Sequence, residues 1–257
     1  MKLRPIEWLV FACAATAFTL ALANLGREAA VFMVARRGPY DLETREAGVK
    51  VLDLFCGAGG AAMGLHRAWP EAEIVGVDIA PQKHYPFEFR LADATSYPLE
   101  GFQFIWASPP CQDHMQTPHR KHGTGWMLPK TRERLVGADC HWAIENVEGA
   151  PLRPDYILCG CQFGLPNLRR VRWFETSWNG FSLLHTHNHE AQCISVVGRG
   201  TPSWVRKKLG RRCPSIHEYR AAMGIDWMNR YELSQAIPPA YSEFIGRAAL
   251  KVMAPMA

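Results

Sequence analysis

Short apolar runs, each closed by a polar or glycine-rich break, recur between residues 50 and 175. Val51-Leu52-Asp53-Leu54-Phe55, Glu73-Ile74-Val75-Gly76-Val77 and Phe104-Ile105-Trp106-Ala107 have the length and the β-branched or aromatic content of buried strands, and His141 to Glu145 is another such run. A strand end is expected near Asp93, and Leu168 to Glu175 alternates basic and apolar residues as a strand would. Ala61 to Trp69 has helical spacing, and the polar residues 38–50 read as a linker. Strands alternating with helices predict an α/β fold on a parallel sheet. Polar residues gather just after the strands, where ligands of open α/β sheets bind.

From Thr176 to Cys213 the periodicity dissolves, which predicts a small irregular lobe. Ser215 to Gly224 returns to helical spacing, and Ile237-Pro238-Pro239 opens a helix running through Tyr241 to Val252, with proline in a permitted first-turn position. The expected organisation is 1–46, an apolar helix and linker; 47–175, the α/β domain; 176–214, the basic lobe; and 215–257, a return to the α/β domain.

Residues 8–26 carry no charge and follow Lys2 and Arg4. Three readings stay open: a signal peptide or membrane anchor, an apolar helix packed on the domain, or a start assigned too far upstream. As an anchor, with Arg27, Arg36 and Arg37 beyond it, the segment would leave the domain in the cytoplasm.

The 257 residues, 48% hydrophobic and 21% charged, suffice for one sizeable core and a small second lobe. A net charge of +5 permits a polyanionic partner. Eight cysteines in no repeating framework favour a reduced, cytoplasmic chain over a disulfide scaffold.

Ser108-Pro109-Pro110-Cys111-Gln112 directly follows the 104–107 run. Two prolines end a strand because neither donates a ladder hydrogen bond. Cys111 is thereby left on a rigid turn at a strand end, where a thiol can meet a substrate. Before it, Asp53-Leu54-Phe55-Cys56-Gly57-Ala58-Gly59-Gly60 is a turn that lets backbone approach a ligand. Asp78, at the second strand end, suits ribose hydroxyls, and Asp93, at the next, suits an exocyclic adenine amine. An adenosine-containing cofactor follows, and no Gly-Lys-Ser/Thr follows the glycines to suggest a nucleoside triphosphatase. Taken singly, each feature has a plainer reading: a tight turn, a buried thiol, a solvated arginine.

In this order the motifs resemble the cytosine-C5 DNA methyltransferase family. The Asp53–Gly59 turn is similar to its S-adenosylmethionine motif, Pro109-Pro110-Cys111-Gln112 to its nucleophile motif, Glu145-Asn146-Val147 to the following catalytic motif, Arg170-Val171-Arg172 to the arginine pair and Gln235-Ala236-Ile237-Pro238-Pro239 to the last motif. The pattern departs at Leu168, where glutamine is usual, and at Gln235, where asparagine is usual. The resemblance spans roughly residues 50 to 250 and implies a Rossmann-like sheet with a target-recognition lobe. It implies catalytic roles for Cys111, Glu145, Arg170 and Arg172. The implied S-adenosylmethionine contacts are Asp53, Phe55, Gly57, Gly59, Asp78, Ile79, Asp93, Ala94, Pro110, Gln235 and Ala236. The implied partner is double-stranded DNA, bound by a monomer in a phage or restriction–modification setting. An RNA cytosine methyltransferase on the same scaffold, a catalytically inactive DNA-binding or membrane-tethered relative, and a cysteine hydrolase are the alternatives.

Residues 113–130, with His119, Arg120, Lys121 and His122, are expected to form a loop that closes over a flipped base and touches phosphates. Gln112 and Gln116 would fill the gap left in the duplex. Arg199, Arg206, Lys207, Lys208, Arg211 and Arg212, around Trp204, form a basic stretch suited to phosphate contacts. Cys159, Cys161, His185, His187, His189, Cys193 and Cys213 match no standard zinc spacing, so no metal site is expected from the sequence.

Overall fold

The computed structural model describes residues 48–114, 123–165, 167–181, 187–189, 193–194, 196 and 214–253. The N-terminal segment, Gln116, Arg120, Lys121 and the basic stretch 199–212 lie outside them. Among the described residues no helix is long and apolar enough to cross a membrane.

Seven strands form one sheet: β1 (Lys50–Leu54), β2 (Glu73–Asp78), β3 (Glu88–Leu91), β4 (Phe104–Ala107), β5 (His141–Asn146), β6 (Tyr156–Leu158) and β7 (Arg172–Thr176). Their order is β3-β2-β1-β4-β5-β7-β6, with the first five parallel and β7 antiparallel to both neighbours. This is the α/β sheet that the sequence pattern predicts and the Rossmann-like architecture that the resemblance implies, with β7 alone reversed.

The central strands read as unbroken apolar runs because helices cover both faces. On one face Val51, Ile74, Phe104, Trp106 and Phe174 pack with Leu65 of α1 (Gly60–Ala68) and with Tyr241 and Ile245 of α5 (Pro239–Met253). On the other, Leu52, Leu54, Val75, Ile105 and Ile144 meet Leu128 and Leu135 of α2 (Met127–Val136). The alternation between adjacent residues of one strand is the pleat itself. Burial of about 2 kcal/mol per large side chain makes this double face the main source of stability.

A third apolar cluster includes Ala58, Leu168, Val196 and Tyr219. It takes in α3 (Ile216–Met223), which Ser215 caps with Glu218 in a reciprocal pair and Gly224 ends at φ 65°. The next helix, α4 (Arg230–Gln235), is capped by Asn229 and Glu232 in the same way.

Three local expectations are corrected. The loop expected over 113–130 gives way to α2 from Met127, because Pro129 occupies the first turn, where its missing N–H costs nothing. The strand expected over Leu168 to Glu175 begins only at Arg172, since Leu168 instead bridges Ile194. The three-residue β6 was too short to register as a period, and it completes the sheet edge.

The reversal of β7 decides which residues share a rim. In its antiparallel register Asn146 lies opposite Trp173 and Glu145 opposite Phe174. The start of β7 is therefore level with the end of β5. A parallel β7 would have put Arg172 at the opposite edge, about 15 Å away at the rise of an extended strand.

Candidate active site

The Ser108-Pro109-Pro110-Cys111 turn leaves β4 at this rim. Ser108 N–H donates to the Leu54 carbonyl at 3.1 Å, which fixes the turn to β1. The Asn146 side-chain amide donates to the Pro109 carbonyl at 3.0 Å, while its own oxygen accepts from Val147 N–H at 2.9 Å. Asn146 thus steadies the chain next to Glu145 and ties the cysteine turn to the end of β5.

Glu145 is buried, and Arg172 Nε lies 2.9 Å from its Oε1. Ser108 hydrogen-bonds the same carboxylate and accepts the Trp106 indole N–H at 2.8 Å. Burial raises the Glu145 pKa, opposed by Arg172 and Arg170. Burial also raises the half-buried Cys111 thiol, with the Glu145 charge adding to it and the two arginines opposing it. A proton on Glu145 therefore favours the Cys111 thiolate, which is the pairing that nucleophile and acid require together. Cys56, by contrast, is buried and held firmly as the thiol.

Arg170 is buried and its two amino groups point at carbonyls: Nη2 donates to Ser234 at 2.8 Å and Nη1 to Val196 at 3.4 Å. Burial, with Arg172 adding to it, depresses its pKa to about 9. The Tyr241 hydroxyl donates to the Arg170 carbonyl at 2.8 Å. Arg170 thus braces the rim, and Arg172 holds the acid.

At the β1 end the chain turns through three left-handed positions: Phe55 (φ 58°), Gly57 (φ 50°) and Gly59 (φ 82°). A non-glycine residue there costs about 1–3 kcal/mol, and such strain gathers at ligand sites. Gly57 N–H donates to Asp78 Oδ2 at 3.0 Å, and Ala80 N–H to Oδ1 at 2.9 Å, so the turn and the β2 end are one unit. Ile79 is 77% exposed beside it. Asp53 is buried, and desolvation raises its pKa to about 8. Its Oδ2 accepts from the Tyr85 hydroxyl at 3.4 Å, while Oδ1 is buried with no hydrogen-bond partner among the described residues.

Asp93 Oδ1 accepts from Thr95 N–H at 2.8 Å, which holds its pKa below the usual carboxylate range. Ala94 is buried, and Arg134 of α2 donates to its carbonyl at 3.1 Å and to that of Tyr97. The last motif closes the corner: a Cβ on Gly60 would stand 2.4 Å from the Ile237 carbonyl and 3.3 Å from Ala236 Cβ. Gln235 is exposed, its amide on Ser234 Oγ at 3.2 Å. His84 joins Glu232 at 2.8 Å, linking the β2–β3 connection to α4.

Pro110 and Gln112 are half-buried on the cysteine turn, and the Gln112 side-chain oxygen is buried without a hydrogen-bond partner among the described residues. Asp113 Oδ2 accepts from Thr124 N–H at 2.6 Å and Gly125 N–H at 2.8 Å, joining the two sides of the 115–122 segment. Asp113, Tyr85 and Arg134 carried no signal in the sequence, and Ser108 was marked only by its motif, because each acts through a partner that only the fold supplies.

One group of potential metal ligands, which no local spacing in the sequence marks, comes together in the fold. Ligand atoms of Cys159, Cys161, His187 and His189 all lie within 4.8 Å of one another. Partners 26 and 30 residues apart are joined by the fold rather than by a local spacing.

No protein-family model and no curated protein matches the chain. Among solved structures it is similar to the plantazolicin methyltransferase BpumL in complex with SAH, at 16% identity and a TM-score of 0.28 over 38% of this chain and 39% of that one. It is similar to the 16S rRNA methyltransferase KamB at 18% identity and 0.28, over 44% and 56%. An RNA methyltransferase from Salinibacter ruber in complex with S-adenosyl-L-homocysteine gives 14% identity and 0.33, over 58% and 93%. The chain spans less than two thirds of the length of the first two.

Proposed function

We propose that this chain is an S-adenosylmethionine-dependent methyltransferase acting on C5 of cytosine in double-stranded DNA. The observation that carries the reading is the meeting of Cys111, Glu145 and Arg172 at one rim, tied by the Asn146–Pro109 and Arg172–Glu145 contacts.

The residues of the β1–β2 corner fit the cofactor. The space in front of Gly57 is open, Asp78 is already anchored to the turn, Ile79 offers an exposed apolar face and the buried Asp53 keeps an oxygen unsatisfied. Asp78 would take the ribose hydroxyls, Ile79 would lie against the adenine, and Asp93 with Ala94 would meet its edge.

Cytosine C5 is a weak nucleophile. Cys111 Sγ adds to C6 while Glu145 delivers a proton to N3, so the ring loses aromaticity and C5 becomes enamine-like. Arg172 keeps Glu145 aimed and offsets charge at the base carbonyl. When bound, S-adenosylmethionine supplies an electrophilic methyl group to that carbon. Loss of the C5 proton to water, release of the Cys111 thiolate and return of the N3 proton to Glu145 restore the neutral ring. Extruding the base costs a few kcal/mol, which contacts from Gln112, Arg120, Lys121 and the basic stretch would offset.

The test is bisulfite sequencing of DNA from cells expressing the chain or its Cys111→Ser variant, with labelled S-adenosylmethionine assays on duplex DNA and tRNA in parallel. Cys111-dependent cytosine methylation at a recurring DNA sequence supports the reading. Label transferred to tRNA alone assigns the RNA activity, and cofactor binding without transfer to either polymer ends the catalytic one.

A further inference from the structure

Two short pieces of chain meet beyond the end of β6. Cys159 follows β6 directly and begins a tight 3-10 turn (Gly160–Phe163) that carries Cys161. His187 and His189 belong to the segment that leaves the far end of β7. Cys159 Sγ lies 3.4 Å from His189 Nε2, and Cys161 Sγ lies 3.6 Å from His187 Nδ1. The two imidazole rings stack at 5.4 Å with an interplanar angle of 16°.

These distances have a specific meaning. With zinc–sulfur bonds of about 2.3 Å and zinc–nitrogen bonds of about 2.0 Å, the sulfur–nitrogen edge of a tetrahedron is about 3.5 Å. Both observed edges fall there. Cys159 Sγ also lies 3.9 Å from the Leu168 carbonyl, and a single ion is the partner that would use all four converging ligand atoms at once.

We propose that Cys159, Cys161, His187 and His189 form a structural tetrahedral zinc site. Two thiolates and two imidazoles in a tetrahedron select zinc among the common divalent ions. Four protein ligands leave no open position, so the metal holds structure and performs no chemistry.

Its place in the fold gives it a task. The end of β7 at Thr176 lies opposite Ala143, towards the edge remote from the rim. Leu158, by contrast, pairs with Arg172 at the rim. His187 and His189 follow β7 in the chain yet lie beside Cys161 and Cys159, next to the end of β6. Just beyond, Ile194 bridges Leu168 and Val196 accepts from Arg170. The metal would tie residues 187–189 to the end of β6, close in the chain to Ile194 and Val196, which meet Leu168 and Arg170. This role holds for whichever polymer is methylated.

The test is elemental analysis of the full-length protein purified without chelator, alongside Cys161→Ser and His187→Asn variants. About one zinc per chain is expected, falling below about a tenth in each variant. Cobalt titration of metal-stripped protein should give a tetrahedral spectrum with thiolate-to-metal charge transfer. Wild-type protein with no stoichiometric metal and no tetrahedral cobalt spectrum overturns the proposal. So does full zinc retention in both variants. If neither variant is soluble, X-ray absorption on the wild-type metal decides: two sulfur and two nitrogen neighbours support the site, and any other set refutes it.

Discussion

The Asn146 amide nitrogen sits 3.0 Å from the carbonyl of Pro109, two residues ahead of Cys111, and so couples the end of one strand to the turn that leaves its neighbour. Asn146→Ala removes the donor and leaves a buried carbonyl unsatisfied. The expected loss is about 1–2 kcal/mol in urea unfolding, with a slower rate of Cys111 alkylation by iodoacetamide in the folded protein.

Arg172 and Glu145 form a largely buried ion pair. Arg172→Met strips the counter-charge from a carboxylate whose pKa burial already raises. The folded state then prefers protonated Glu145, so stability is retained at low pH and lost as pH rises. The variant should be destabilised by about 3 kcal/mol at pH 8 and by clearly less at pH 5. Adding Glu145→Gln should recover much of the loss at pH 8, a coupling that unfolding curves of the four proteins measure.

Asp53 has a folded-state pKa of about 8 against 3.8 for a free carboxyl. Its proton is bound more tightly in the native state, so its contribution is complete below the lower value and declines as pH rises towards the upper one. Asp53→Asn should flatten the fall of Tm between pH 4 and 8, and should be the more stable protein at pH 8. An unchanged pH slope would count against this assignment.

Gly64 of α1 lies against the start of α5, where a Cβ would stand 2.0 Å from the Pro239 carbonyl and 2.1 Å from Ser242 Oγ. Backbone cannot yield as a flexible side chain does. Gly64→Ala should cost about 1–3 kcal/mol in thermal or urea unfolding.

Ile79 is exposed and supports no packing. Ile79→Ser should leave stability within about 0.5 kcal/mol. If the residue lies against adenine, S-adenosylmethionine affinity should fall about tenfold by calorimetry, equivalent to about 1.4 kcal/mol. Unchanged affinity would remove Ile79 from the cofactor site.

Much of the fold was legible in the sequence where one strong local rule applied. Phe104 to Ala107 declares itself because a strand buried on both faces is apolar throughout, and Val51 to Phe55 does so with Asp53 as its one polar residue. Ser215, Glu218 and Gly224 mark both ends of a helix. The α2 helix was hidden because Leu128, Thr131 and Leu135 are its only buried residues in a polar stretch broken by Pro129. The Asn146–Pro109 bond, the Tyr85–Asp53 contact and the four-ligand cluster were hidden for a different reason. Each joins residues far apart in the chain, and no periodicity encodes a tertiary meeting.

The placement of β7 also fixes an order of events. β6 emerges earlier in synthesis, yet among the described strands its sole neighbour in the sheet is β7. Until Arg172 to Thr176 have been made, β6 lacks its described neighbour in the sheet and Glu145 lacks the Arg172 guanidinium. The half of the sheet that carries the glycine turn can consolidate first. The Arg172–Glu145 pair forms late, when the reversed strand enters between β5 and β6.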